Sequence, residues 1–288
     1  MKMVILVTLA CAFFFSLIYL IISAFREKCK IEKAIYVILT MIFLYAPIVV
    51  LILFSFNSGN TRAVFSGFSL VHYRELGEQT DLLNALRNTL IVALIASVIS
   101  TLIGTYAAFV ISKLSPFKKN AVLKTLNIPM LNADIVTGIS LLLFFVFISI
   151  PLGFVTLLIA HVMFNVPYVT MSVLPKIRQL NKSTYEAALD LGASPALAFR
   201  KVIFPEILPG VISGALLAFT LSLDDFIISY FTSGSDFMTL SVCINSMTKK
   251  TIPLAVNALS TLLFIAVFII LLFVNFKPAM KKKKTQVA

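Results

Sequence analysis

The chain has 288 residues, of which 60% are hydrophobic and 12% are charged, and its mean hydropathy is +1.02. Soluble domains carry about twice that share of charged residues, so the composition excludes an ordinary soluble domain and indicates an all-α polytopic membrane protein. The formal net charge of +12 would suit nucleic acid, but the basic residues lie in short loops beside apolar segments. That distribution is typical of membrane topology, and we expect no nucleic-acid partner.

Seven apolar segments are long enough to cross a membrane as helices. In chain order they lie near residues 3–24, 34–56, 88–112, 125–150, 153–174, 206–231 and 255–276. The first has the positive start of a secretory signal, but no clear cleavage site follows its long apolar run, so we expect residues 1–33 to form an additional N-terminal helix and a basic cytoplasmic loop. The fourth contains several polar residues, which predicts a broken turn before it crosses from Ile135 onward.

The basic residues predict the orientation of these segments. When the loop at residues 25–33 is placed in the cytoplasm, most of the 24 Lys and Arg residues fall on the cytoplasmic side. The N-terminus is then outside, and residues 277–288 form a basic cytoplasmic tail that can touch anionic membrane lipid. We therefore expect a multi-pass protein of the plasma or inner membrane, with the loop around residues 175–204 inside the cell.

The polar loop between the fifth and sixth segments predicts two short helices. Residues 183–186 have the S-x-x-E pattern of a capping box, which predicts a helix that begins at Ser183. Gly192 stands where this helix would end in a left-handed residue. Ser194 and the proline after it predict a second helix, which we expect to stop before Pro205.

The spacing of this loop resembles the EAA loop of permeases in ATP-binding-cassette (ABC) importers. The family pattern EAA-x3-G-x9-I-x-L-P falls on Glu186, Ala187, Ala188, Gly192 and Pro205, and the chain departs from it by apolar exchanges, with valine in place of isoleucine and phenylalanine in place of leucine. The resemblance is to the binding-protein-dependent (MetI-like) type. It implies that residues 183–205 couple the chain to an ATPase subunit. Gly192 would allow the turn, and the two alanines would allow close approach to the partner.

Four further stretches resemble PotC-type permeases of spermidine/putrescine importers. They are residues 45–57, 132–143, 219–234 and 257–263. This resemblance implies an ABC type I permease fold of six core helices over residues 34–276, with polyamines as substrate. It also implies three partners: two copies of an ATP-binding subunit, a sister permease in a heterodimer, and an extracytoplasmic substrate-binding protein.

The chain is not expected to hydrolyse ATP or to bind a cofactor. None of its ten glycines is followed by lysine, so the sequence contains no phosphate-binding loop, and ATP and Mg²⁺ are expected on the partner ATPase. We identify no catalytic residues. His72 and His161 are far apart and have no neighbouring carboxylate cluster in the sequence, so we expect no metal site and interpret His161 as a core or pathway residue.

The candidate substrate pathway consists of acidic and aromatic residues within the apolar segments. They are Asp134, Asp224, Asp225, Phe226 and Tyr230. An aspartate inside a membrane costs about 2.5–3.5 kcal/mol on insertion scales, so such residues usually have a function, and here they could attract a cationic substrate. On one helix the adjacent aspartates would point about 100° apart, and one alone would face the pathway. The alternative is that they pair with basic residues of another subunit or lie near the outer interface.

Three readings stay open on the sequence. A related permease could carry iron, thiamine, phosphonate or another small solute. A secondary transporter would show an inverted repeat, and the sequence has no halves that mirror each other. A membrane-embedded enzyme would gather acids, histidines and a nucleophile near one membrane face, and the twelve acids and two histidines of this chain form no such cluster. Gly210 and Gly214 form a G-x-x-x-G pattern that predicts close helix packing, either within the chain or against a second permease.

Overall fold

The computed structural model describes residues 30–59, 64–248, 253–267 and 269. The predicted first segment at 3–24, the basic tail at 277–288 and the last residues of the seventh segment lie outside this part of the chain. Within the described residues the fold is helical, and its one β-type contact is an isolated bridge between Asn57 and Phe68.

The helices follow one another with short connections. They are α1 Lys30–Ser55, α2 Val71–Glu78, α3 Thr80–Lys113, α4 Pro116–Leu131, α5 Asp134–Phe147, α6 Phe154–Arg178, α7 Lys182–Asp190, α8 Pro195–Ala198, a π-helical turn Phe199–Ile203, α9 Phe204–Asp224, α10 Ile227–Thr232, α11 Leu240–Thr248 and α12 Ala255–Val267.

Four of the described helical stretches are long and apolar enough to cross a membrane, as predicted. They are Ile35–Ser55, Thr80–Lys113, Phe154–Arg178 and Phe199–Asp224. The predicted break in the fourth segment is confirmed, because α4 and α5 meet at a bend of 99° and the second helix begins at Asp134. A total of seven spans stays a prediction.

The chain divides into two compact units. One unit combines the segments before Gln79 and after Ile252, and the other is Gln79–Ile252. In the first unit, the loop after α1 is ordered around the buried Asn57 side chain. Its Nδ2 donates to the carbonyl of Val64 at 3.0 Å, and its Oδ1 accepts from the backbone N–H of Ser66 at 2.7 Å.

Helix α6 is the centre of the second unit, where α3 and α9 pack against it at glycines. A Cβ at Gly104 of α3 would lie 2.8 Å from Cβ of Val169, and one at Gly214 of α9 would lie 3.2 Å from Cγ1 of the same valine. A Cβ at Gly210 would lie 2.8 Å from Cγ of Lys176. The G-x-x-x-G pattern therefore serves packing within this chain, which answers the question that the sequence left open.

Candidate functional site

The first predicted helix of the 183–205 loop begins earlier than expected. Helix α7 starts at Lys182, and Asn181 is its N-cap, because the Asn181 side chain accepts a hydrogen bond from the backbone N–H of Ser183 at 3.0 Å. The prediction of a start at Ser183 is wrong, since that residue already lies inside the helix. Asparagine caps helices as well as serine does, and it comes two residues earlier in the sequence.

The end of α7 is as predicted. Gly192 has φ +83°, and the backbone N–H groups of Gly192 and Ala193 donate to the carbonyls of Leu189 and Ala188 at 2.9 and 3.1 Å. These two bonds are those of a Schellman motif, which needs a left-handed residue at this position. The motif leaves Leu191 at the tip of the turn with 89% of its surface exposed.

The second helix of the loop begins as predicted but does not stop before Pro205. Ser194 caps α8, and its Oγ accepts from the backbone N–H of Leu197 at 3.4 Å. The chain then continues through the π-helical turn, in which the N–H of Phe204 donates to the carbonyl of Phe199, into α9. Pro205 lies in the first turn of α9, where a missing N–H is tolerated. A proline therefore marks the junction of two helices here.

The two short helices are anchored to the bundle by aromatic side chains. Tyr185 of α7 and Phe199 of the π-helical turn pack on the buried cluster that includes Ile177 and Ile203. The Phe199 ring also meets the ring of Phe109 in α3 edge-on, with centroids 5.8 Å apart. Apolar packing thus attaches the loop to α3, α6 and α9 together.

Helices α7 and α8, with the turn at Gly192 between them, form a helical hairpin. The residues of the EAA pattern lie on different faces of this hairpin and of the helix that follows it. Ala187 and Pro205 are exposed, Ala188 is half-buried, and Gly192 has open space around the position of a Cβ. Glu186 lines a groove of about 720 Å³ between the hairpin and the ends of α3 and α6. The charged residues that line the groove are Lys113, Lys119, Arg178, Glu186 and Glu206.

The candidate pathway residues surround a break at the other end of α9. The helix ends at Asp224, whereas Asp225 has φ −60° and ψ 129° and is extended. The Asp225 carboxylate accepts hydrogen bonds from the backbone N–H groups of Ser229 at 2.7 Å and Ile228 at 3.3 Å, at the start of α10. The prediction of two aspartates on one helix through residue 231 is therefore wrong, because Asp225 caps a second helix.

The aromatic candidates follow the break. The rings of Phe226 and Tyr230 are 5.6 Å apart, and Tyr230 is 53% exposed. Asp134 is the exposed first residue of α5, one turn before Gly138. A Cβ at Gly138 would lie 2.9 Å from the Phe231 ring, so the structure packs the helix that carries Asp134 against α10.

The sequence analysis missed the partners that α6 provides for the break. His161 is 2% exposed, and its Nε2 lies 3.1 Å from Ser229 Oγ and 3.5 Å from Asp225 Oδ2. It is a core histidine, as expected, but it has one carboxylate beside it. The sequence contained one indication of these contacts, because residues 156, 161 and 165 are polar in an otherwise apolar segment. No group of three metal-ligating side chains occurs among the residues that the structure describes.

Comparisons with known proteins show the family to which the chain belongs. Residues 3–282 match the family described as "Binding-protein-dependent transport system inner membrane component". The chain is 36% identical over 245 residues to the putrescine transport system permease protein PotI of Escherichia coli K12, covering 83% of this chain and 87% of that protein. It is 38% identical over 223 residues to the spermidine/putrescine transport system permease protein PotC of Haemophilus influenzae, covering 77% and 87%.

Solved structures agree at the level of the fold. A bacterial ABC transporter involved in the import of the acidic polysaccharide alginate aligns with a TM-score of 0.62 at 16% identity, covering 84% of this chain and 91% of that one. An amino acid ABC transporter aligns with a TM-score of 0.51 at 18% identity, covering 75% and 96%. The chain therefore belongs to the inner-membrane components of binding-protein-dependent transport systems, and it is an ABC-importer permease of the all-α type I fold, a transport protein and not an enzyme.

Proposed function

We propose that the chain forms part of the path by which a polyamine, such as spermidine or putrescine, enters the cell. The observation that carries the proposal is the identity of 36% and 38% to putrescine and spermidine/putrescine permeases over most of both chains. A path for polycations needs carboxylates and aromatic faces, and Asp134, Asp224, Asp225, Phe226 and Tyr230 are the candidates.

The 183–205 loop is the coupling element for an ATP-binding subunit. Ala187 and Leu191 are exposed, and Gly192 is open, so this surface can dock in a cleft of a partner. We propose that Glu186, Ala188 and Pro205 also contribute to this coupling. ATP and Mg²⁺ would bind to the ATP-binding subunit, of which each importer would contain two copies. The sister permease and an extracytoplasmic binding protein complete the importer.

The geometry of α9 suggests how a signal could pass from this loop to the pathway. The hairpin is joined to α9 by continuous helical backbone, and Asp224 is the last residue of the same helix. A helix of 21 residues is about 31 Å long at 1.5 Å per residue, which is close to the thickness of a bilayer core. Closure of the ATPase pair would push on the hairpin, and a rigid α9 would carry the displacement to the break.

The topology follows from the same assignment. With the coupling loop in the cytoplasm, α9 runs from the cytoplasmic side toward the outer side. The N-terminus is outside and the C-terminus is in the cytoplasm, as the positive-inside rule predicts. Residues 34–276 then form the permease domain, preceded by an additional helix and basic loop at 1–33 and followed by the basic tail at 277–288.

Uptake of labelled spermidine, in cells with and without this chain, tests the polyamine assignment. We expect uptake to require the chain and to be inhibited by putrescine, but not by thiamine or by an anionic solute. Equal uptake in both strains would contradict the polyamine substrate. Copurification of an ATP-binding subunit tests the coupling assignment separately, and its absence would contradict that part of the proposal.

A further inference from the structure

Helix α6 holds the α9–α10 break on both sides. Before the break, Asn165 Nδ2 donates to Ser222 Oγ of α9 at 2.7 Å. After it, Thr156 Oγ1 donates to the carbonyl of Thr232 in α10 at 2.8 Å. All four residues are at least 97% buried. Polar contacts of this kind, inside an apolar bundle, fix the relative position of the elements that they join.

His161 lies between these two contacts and meets the break itself. Its Nε2 faces both Ser229 Oγ and Asp225 Oδ2, at 3.1 and 3.5 Å. Its Nδ1 is buried and has no hydrogen-bond partner among the described residues. Nε2 is thus the ring atom that meets the break, and with a proton on Nε2 His161 donates toward the carboxylate and the hydroxyl.

The two aspartates of the break are in different environments. The Asp225 side chain is 8% exposed, and its oxygens already accept from Ile228 N–H and Ser229 N–H while one of them faces His161. Asp224, in contrast, is exposed at the last position of α9. A nearly buried carboxylate that already accepts two backbone hydrogen bonds and faces an imidazole is poorly placed to contact a cation, whereas an exposed carboxylate can exchange water for a substrate amine.

We propose that the two aspartates have separate roles, in which Asp224 contacts the cationic substrate and His161 is a positioning residue that acts through Asp225 to hold the break. This inference rests on the proposed function, because it takes the break as part of the pathway. It goes further by excluding Asp225 from substrate contact and by adding a residue of α6. The substrate class that Asp224 selects is an alkyl ammonium ion.

Uptake kinetics of the complete importer test these roles. For Asp224→Asn we expect the KM for labelled spermidine to rise about tenfold, while the maximal rate stays close to that of the wild type. For His161→Leu we expect a rise of KM of about fivefold at an unchanged amount of transporter in the membrane. His161→Gln should restore the KM, because its amide nitrogen can donate to Asp225. His72→Leu removes a buried histidine outside the break, and it should leave the KM unchanged.

The double variant His161→Leu/Asp224→Asn separates positioning from general damage. If His161 acts by placing Asp224, the double variant should have the KM of Asp224→Asn alone. Effects that multiply, or a His161→Leu variant with a normal KM and less protein in the membrane, would overturn the positioning role. A KM for Asp225→Asn above that for Asp224→Asn would overturn the division between the aspartates.

Cysteine labelling tests the geometry without assuming the substrate. In a chain without native cysteines, the thiol of an Asp224→Cys variant should react with a small cationic thiol reagent at least about tenfold faster than that of an Asp225→Cys variant, because accessible thiols react faster. Equal rates at the two positions would overturn the inference.

Discussion

The two ends of α9 are built from different interactions. At the loop end, the backbone continues from α8 through the π-helical turn, and the contacts are apolar, with Phe199 against Phe109 and the cluster around Ile203. At the break end, the backbone leaves the helix after Asp224 and is held by hydrogen bonds from α6. The hydrophobic effect is non-directional, whereas hydrogen bonds prefer a limited range of distances and angles. The loop end is therefore suited to receive a force, and the break end to keep the position of a few groups.

Between its two ends, α9 packs on α6, and Gly214→Leu should disrupt this packing. A Cβ at this position would meet Val169 at 3.2 Å, so a leucine cannot fit without moving the helix. We expect a loss of about 1–3 kcal/mol in stability and a strong fall in membrane-inserted protein. Thermal unfolding in detergent measures it. Gly77→Leu is the control, because a Cβ there has open space, and a fall of equal size in the control would contradict the packing argument.

The loop end can be broken alone by Gly192→Pro. Proline requires φ near −65°, and Gly192 has φ +83°, so the Schellman turn cannot form and α7 changes its direction relative to α8. We expect spermidine uptake to fall to background while the amount of protein in the membrane stays normal. Gly192→Asn is the matched control, since asparagine tolerates the left-handed region, and it should retain most of the uptake. Normal uptake by the proline variant would contradict the coupling role.

Leu191→Ser is a milder test of the docking surface that we propose at the same end. This leucine is 89% exposed, so its removal should not change thermal stability. Losing one buried leucine contact at an interface should weaken binding of the ATP-binding subunit by about 1.5–3 kcal/mol, or at least about tenfold. Pull-down with titrated ATPase measures the affinity. Leu197→Ser in α8 is the comparison variant. An equal loss of affinity in that variant would show that the tip of the turn contributes no more to binding than α8 does.

The break end should give the smallest effects on stability. Asn165→Leu removes the bond to Ser222 Oγ, and interhelical hydrogen bonds in membrane proteins contribute about 0.6 kcal/mol on average. A double-mutant cycle with Ser222→Ala should give a coupling energy of about that size. A cycle without measurable coupling would contradict the view that this bond holds α9 in place.

The sequence was sufficient to predict the loop end in most of its parts. The glycine that requires a positive φ, the serine cap and the spacing of the EAA pattern are local features, and each has a local physical cause. Two details were wrong for equally local reasons. Asn181 competes with Ser183 as a cap, and Pro205 is compatible with the first turn of a helix. The π-helical turn has no signature in the pattern of apolar residues.

The break end could not be predicted in the same way. An Asp-Asp pair in an apolar segment reads as one helix, because the sequence does not show that Asp225 accepts from the N–H groups of Ile228 and Ser229. The contact between His161 and Ser229 joins residues 68 positions apart, and only the packing of α6 against α10 brings them together. Tertiary contacts of this kind decide which of two neighbouring acids is exposed.

The π-helical turn at Phe199–Ile203 has a consequence for the rotational phase of the hairpin. A π turn contains one residue more than an α turn, so it offsets everything before it by about 100° around the axis of α9. Deleting one residue from this turn would leave a regular helix and an intact membrane segment. The hairpin would then turn a different face outward. The direction in which the proposed coupling surface points is thus set by a single inserted residue, independently of which side chains that surface carries.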